Sequence, residues 1–176
     1  MAIRRLEAAL LLLALTGPAD AGERYGIGRP ATQAEVAAWD IDVDRDGRKL
    51  PPGSGSVAHG REVFEAQCAA CHGARGEGGI GERLVGGRGS LATAAPVKTV
   101  GSFWPYAPTL FDYIRRAMPM NAPQSLSADE VYAVSGYVLN LNGLVADDAV
   151  LDAGSLRAVA MPNRDGFVPD PRPDVR

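Results

Sequence analysis

The chain has 176 residues, with 18 basic and 21 acidic side chains for a formal net charge of −3, and 46% of its residues are hydrophobic. That length suits one domain of ordinary size with extended ends, and basic residues scattered through a slightly acidic chain argue against a nucleic-acid-binding surface. Its two cysteines lie three positions apart, which excludes a disulfide framework, because a bridge across so short a loop stabilises little.

Residues 1–21 read as an export signal: Arg4 and Arg5 form a charged front, AALLLLAL an apolar stretch, and Ala19-Asp20-Ala21 a small-residue cleavage site, with cleavage expected after Ala21. The apolar stretch is too short to span a bilayer, which takes roughly 20 apolar residues, and no later segment approaches that length. The expected mature chain is periplasmic and has no membrane span. Residues 22–55 form an N-terminal extension with one short helix, opened by a capping box of Thr32 and Glu35 ahead of VAAW and followed by a Pro/Gly/Ser linker. A stronger helix begins near Ser54 or Ser56 and runs through VAHGREVFEAQ, with Val57, Gly60, Val63 and Phe64 on one face. A glycine inside a helix costs about 1 kcal/mol relative to alanine, so Gly60 predicts a neighbour packed closely against it.

From Gly73 to Pro108 the chain is glycine-rich, then proline-rich, and predicts a long ordered loop of the kind that lines a ligand. Thr109 is expected to cap LFDYIRRAM, which Pro119 stops. Ser127 and Glu130 form a second capping box. The helix behind it carries an apolar stripe of Val131, Val134, Val138 and Leu141 and ends at Gly143. Residues 144–176 start acidic, finish in Pro/Asp/Arg text and show no core pattern, so they read as a C-terminal tail that, like residues 22–55, wraps on the domain. With no repeat and no alternating strand, the expected class is mostly α, with the central domain at 56–143.

The chemistry concentrates in QCAACHG, residues 67–73. Cys68-Ala-Ala-Cys71-His72 is the attachment pattern of c-type haem. Cysteines at i and i+3 on one turn can each form a thioether to one of the two vinyl groups of a porphyrin edge, and the next residue, His72, reaches the iron. One such motif implies one covalently bound haem c, and export agrees with an attachment completed outside the bacterial cytoplasm. A thioredoxin-type thiol pair would sit between a strand and a helix, and no βαβ pattern is present. A structural zinc site would need His59, nine positions upstream of Cys68, as its last ligand, with no second Cys/His pair elsewhere.

A haem iron that carries electrons wants a second axial ligand. Met118 ends a helix just before Pro119, on the far side of the long loop from His72, and so can approach the opposite face. Met120, two residues on, is the alternative distal ligand; Met161 reads as packing and His59 as a surface histidine. Two other motifs read as decoys. DVDRDG, Asp42 to Gly47, copies the opening of an EF-hand loop, but Gly53 stands where the bidentate glutamate belongs, and a solvated turn is expected. GEGGIG, Gly76 to Gly81, matches a dinucleotide fingerprint but follows the haem motif rather than a strand, so its glycines are expected to let backbone pass close to the porphyrin. Trp104, Tyr106 and Lys98 could hydrogen-bond haem propionates or simply pack the loop.

CAACH after a helix carrying Gly60 and Phe64, RRAMP before the last helix, and Gly136-Tyr137 within it together resemble class I c-type cytochromes over residues 56–143. The resemblance implies two terminal helices crossing through these small and aromatic residues. GIGRPATQAEVAAWDIDV, LPPGSGSVAHG, PVKTVGSFWPYAPTLFDYIRRAMPM, QSLSADEVYAVSGYVLNLN and MPNRDGF are further similar to the cytochrome subunit of Sox sulfane dehydrogenase and to cytochromes paired with molybdenum sulfite dehydrogenases. That likeness implies Met118 as distal ligand, and a monohaem electron-transfer protein rather than an enzyme. It also implies a molybdenum-containing dehydrogenase as electron donor and a downstream redox carrier or oxidase as acceptor. The Sox subunit has two haem modules, whereas this chain has one attachment motif. The rival from another class is a haem enzyme or gas-binding protein whose iron keeps an open position.

Overall fold

A computed structural model describes residues 26–172; the expected export signal lies outside the described residues. Among them the order is α1 (Gln33–Trp39), β1 (Ser54–Ser56), α2 (Val57–Gln67), α3 (Ala69–His72), α4 (Ala107–Ala117), α5 (Ala128–Leu141), β2 (Val150–Asp152) and α6 (Ala153–Ala158). The class is mostly α, as expected. The chain divides into two compact units between Val36 and Ala37.

Ser56 caps α2, its hydroxyl accepting the His59 N–H at 3.1 Å, and the helix buries the four predicted residues Val57, Gly60, Val63 and Phe64. That face packs on α5. A methyl group at Gly60 would run into the Ala133 carbonyl and come within 3.0 Å of the Tyr137 Cβ, so the helices approach as closely as they do because residue 60 has no side chain. Phe64 and Tyr137 meet edge to face there, their ring centroids 5.3 Å apart.

Helix α5 starts at the capping box read from the sequence: the Ser127 hydroxyl accepts the Glu130 N–H at 3.3 Å and the Glu130 carboxylate accepts the Ser127 N–H at 2.8 Å. Residues 131–139 are buried in succession. A helix buried all round is the centre of its domain, and α2, α4, β1 and β2 all pack against it.

Helix α4 departs from expectation at its start. Thr109 lies inside the helix, which follows Tyr106 and carries Pro108 in its first turn. A proline fits there because the N–H it lacks would have no helical partner and its φ is already helical. The helix holds the preceding extension: the buried Asp112 accepts the Val43 N–H at 2.8 Å and an Arg116 fork at 2.9 and 2.5 Å. Arg115 donates to the Ile41 carbonyl at 2.9 Å, and the Tyr132 hydroxyl of α5 to the Pro51 carbonyl at 2.8 Å.

The C-terminal segment corrects the reading of a tail without a core pattern. β2 pairs antiparallel with β1, Gly55 facing Leu151, and Asp152 caps α6 by accepting the Gly154 and Ser155 N–H groups, each at 2.8 Å. Leu151, Leu156 and Met161 are buried in the common core. Elements of three and six residues each turn about one side chain inward, too few to show a period. Farther along, Asn163 donates to the Phe103 carbonyl at 2.7 Å and Phe167 meets the Phe103 ring with centroids 5.2 Å apart.

Candidate haem site

Cys68 closes α2, donating its N–H to the Phe64 carbonyl at 2.9 Å, and its own carbonyl accepts the N–H groups of Cys71 at 3.1 Å and His72 at 3.0 Å. One tight turn therefore presents both sulfurs and the imidazole. Both thiols are free, Cys68 half-buried and Cys71 exposed. Burial, with a smaller contribution from Cys71, pushes the Cys68 thiol up to about 11. A thiol-disulfide catalyst needs the opposite shift, toward a thiolate at neutral pH. Among the described residues no three or more His, Cys, Asp or Glu side chains are gathered as they would be around a metal ion.

The His72 ring is oriented by its backbone surroundings. Its Nδ1 lies 2.6 Å from the Glu82 carbonyl oxygen. A carbonyl can only accept, so Nδ1 carries the proton and Nε2 keeps a lone pair, the tautomer that a metal ligand requires. Gly81 lies against the same ring: a Cβ there would approach His72 Cε1 to 3.0 Å and Nδ1 to 3.1 Å. The loop closes through Gly81 N–H to the Cys71 carbonyl at 2.9 Å and Gly78 N–H to the His72 carbonyl at 2.7 Å. The GEGGIG glycines thus let backbone fold over the motif itself, as a nucleotide fingerprint would not.

The candidate distal ligands separate by environment. Met118 caps the C-terminus of α4, its N–H donating to the Ile114 carbonyl at 3.0 Å, and is half-buried against the core. Met120 is 77% exposed and Met161 only 4%. His59 is exposed, its Nδ1 3.1 Å from a Glu62 carboxylate oxygen. Leu84, Trp104, Leu126 and Leu141 are, like Met118, half-buried apolar side chains packed on the core. Two thiols at i and i+3, an imidazole with a free Nε2 and a half-buried thioether suit a covalently held porphyrin.

Asn142, which the sequence reading passed over, ties the long loop to the end of α5. Its Nδ2 donates to the Leu84 carbonyl at 3.2 Å and the Val138 carbonyl at 2.9 Å, while Oδ1 accepts the Gly86 N–H at 3.2 Å. A methyl group at Gly101 would collide with it. Of the three propionate candidates, Lys98 lies 5.0 Å over the Phe103 ring, Tyr106 has Arg45 and Arg164 at 5.8 and 5.0 Å from its ring centre, and Trp104 meets Tyr113 edge to face at 5.9 Å. The EF-hand-like stretch is an ion-paired turn: Asp44 accepts the Arg48 N–H at 2.8 Å and the Asp46 N–H at 3.0 Å, and the Arg48 guanidinium holds its carboxyl below the usual range.

The pattern of a family described as cytochrome c oxidase, cbb3-type, subunit III, matches residues 55–138. Thiosulfate dehydrogenase of Allochromatium vinosum is 34% identical over 87 residues, which is 46% of this chain and 30% of that protein's length. The crystal structure of the sulfane dehydrogenase SoxCD from Paracoccus pantotrophus superposes with a TM-score of 0.78 at 47% identity, covering 85% of this chain and 74% of the matched chain. No described helix is long and apolar enough to cross a membrane. A helical frame shared at that identity shows that the chain belongs to the c-type cytochrome family.

Proposed function

We propose that this is a single-haem electron carrier of sulfur oxidation outside the cytoplasm. It accepts electrons one at a time from a molybdenum-containing dehydrogenase of sulfane or sulfite sulfur and delivers them to a downstream redox carrier or oxidase. The observation that carries the reading is the Cys68–His72 turn with its imidazole held by the Glu82 carbonyl, in a chain 47% identical to one of sulfane dehydrogenase SoxCD. The second relative, a thiosulfate dehydrogenase, supports the same class of substrate.

Haem c supplies reversible one-electron chemistry at its iron. In this reading Cys68 and Cys71 would hold the group covalently, and His72 Nε2 and the Met118 thioether would ligate its iron. The Nδ1–H bond to Glu82 fixes the ring and raises the basicity of Nε2. The apolar side chains of Leu84, Trp104, Leu126 and Leu141 exclude water and, with the thioether, favour the reduced state. Residues 1–21 serve as the export signal.

Acidified acetone applied to the unfolded, purified protein should leave the red pigment on the chain. The oxidised protein should show the weak far-red sulfur-to-iron charge-transfer band; Met118→Ala should abolish it and Met120→Ala should leave it intact. Ready binding of carbon monoxide by the reduced wild type would favour an open-site haem protein and overturn the carrier reading.

A further inference from the structure

Asp112 is a carboxylate that electron transfer does not itself use, yet it is only 7% exposed. Burying a charge is costly unless it is paired and hydrogen-bonded, and the partners here are specific. Its Oδ1 accepts the Val43 N–H at 2.8 Å, while Arg116 closes on both oxygens at 2.9 and 2.5 Å. Three positions on, along the same side of α4, Arg115 donates to the Ile41 carbonyl at 2.9 Å. Helix α4 thus offers one acceptor and one donor to backbone groups two residues apart in the extension. Val43 itself is buried in the core, so the clasped segment has a fixed seat. The other end of α4 is held by both extensions: Tyr106, the residue before its first turn, has Arg45 at 5.8 Å and Arg164 at 5.0 Å from its ring centre.

We infer that Asp112 and Arg115 are positioning residues for the distal ligand: by clasping residues 41–43 they fix the rotation and register of α4, and through them the place of Met118. The inference rests on the Met118 reading proposed above. Met118 follows α4 directly, its N–H bonded to the Ile114 carbonyl at 3.0 Å, so it goes wherever the helix end goes. Arg115 stands three residues before it, about 4.5 Å along the axis, and Asp112 six residues before it, about 9 Å. On its core side α4 is held by Leu110, Phe111 and Ile114, with the Phe111 and Tyr132 ring centroids 4.5 Å apart. Apolar burial is non-directional and lets a short helix roll or slide, whereas hydrogen bonds impose an angle. A functional side chain has to be held to within about 0.5 Å of its productive place, and directional bonds near the helix end supply that. The His72 side needs no such device, because the Cys68 turn and the Glu82 carbonyl fix it locally. Exchanging a buried ion pair for apolar groups often costs no stability, so the contribution of this one is register.

Three readouts of the haem-loaded full chain test this: the far-red band of the oxidised form, carbon monoxide binding by the reduced form, and the reduction potential. Asp112→Ala should weaken the band, lower the potential and speed carbon monoxide binding about tenfold, the population shift that follows from losing one hydrogen bond to a charged group. Asp112→Asn keeps an acceptor for the Val43 N–H and should restore most of the wild-type behaviour. Arg115→Ala should speed carbon monoxide binding about threefold, and it decides the matter if Asp112→Ala does not take up haem. Leu151→Ala, beside Gly136 of α5, should lower the melting temperature at least as much while leaving all three readouts unchanged. Wild-type readouts in Asp112→Ala and Arg115→Ala overturn the inference and leave Met118 standing as the ligand. Asp112→Asn as impaired as Asp112→Ala overturns the clasp in favour of the Arg116 ion pair. Equal changes in Leu151→Ala and Asp112→Ala overturn it in favour of a general loosening. A wild type without the band, or a Met118→Ala variant that keeps it, overturns the ligand assignment and the inference with it.

Discussion

The two extensions of this cytochrome enter its core unequally, the N-terminal one through Val43 with Leu50 packed beside it, the C-terminal one more deeply. The C-terminal segment turns Leu151, Leu156, Val159 and Met161 into the core, adds a strand to β1 and returns over Phe103 through Asn163. In the N-terminal extension Trp39 stays 85% exposed. Apolar content is part of the difference: 15 of the 33 residues of 144–176 are hydrophobic, against 11 of the 34 of 22–55. Room at the core is another part: Gly136 leaves space for β2, a Cβ there lying only 3.1 Å from the Leu151 side chain, and Gly55 lets β1 lie against Ala133 of α5.

The largest effect should come from the C-terminal side. Leu156 is fully buried, and Leu156→Ala should cost about 2–5 kcal/mol through lost transfer energy and the cavity left behind, measured by denaturant unfolding of the haem-loaded protein. A loss below that range would make the segment a wrap rather than a part of the core. Asn163→Ala removes one bond, to the Phe103 carbonyl, and should cost about 0.5–1.5 kcal/mol.

The smallest effects distinguish two copies of the same capping box. Glu130 is held below the usual range by the Ser127 N–H and then its hydroxyl, and Glu35 is brought down to about 2 by Arg29 first and Thr32 next. A carboxyl whose folded pKa is lowered stabilises fully above its unfolded value and loses that contribution as pH falls through the folded one. Acidification from the usual glutamate value of 4.5 toward about 2 should therefore unwind α1, seen as amide shifts at Thr32 and Glu35. Glu130→Gln should lower the melting temperature at neutral pH, because α5 is the central helix; Glu35→Gln should leave it unchanged. A drop with Glu35→Gln would show that α1 contributes to the stability of the domain after all.

Much of the site was legible in the chain itself. The Cys68–His72 pattern states its chemistry through covalent spacing on one turn, and Gly60, Ser127 and Glu130 state theirs through local rules that hold before any tertiary contact exists. Thr109 misled as a helix start because Pro108, one position earlier, satisfies the same first turn by lacking the N–H that a cap would otherwise serve. Asn142 was invisible because its partners, Leu84 and Gly86, lie far off in sequence, and the Asn-Gly pair at a helix end reads equally well as a plain stop.

By itself, then, the sequence determined those features whose causes lie within one or two turns of chain: the turn that gathers Cys68, Cys71 and His72, the helix caps and the close approach at Gly60. Only the tertiary structure decided that the Glu82 carbonyl sets the tautomer of His72, that Met118 is half-buried while Met120 faces solvent, and that the C-terminal segment adds Leu151, Leu156 and Met161 to the core. Each of these depends on groups distant in the chain competing for the same buried space or hydrogen-bonding partner, and that competition is resolved only when the whole chain has packed.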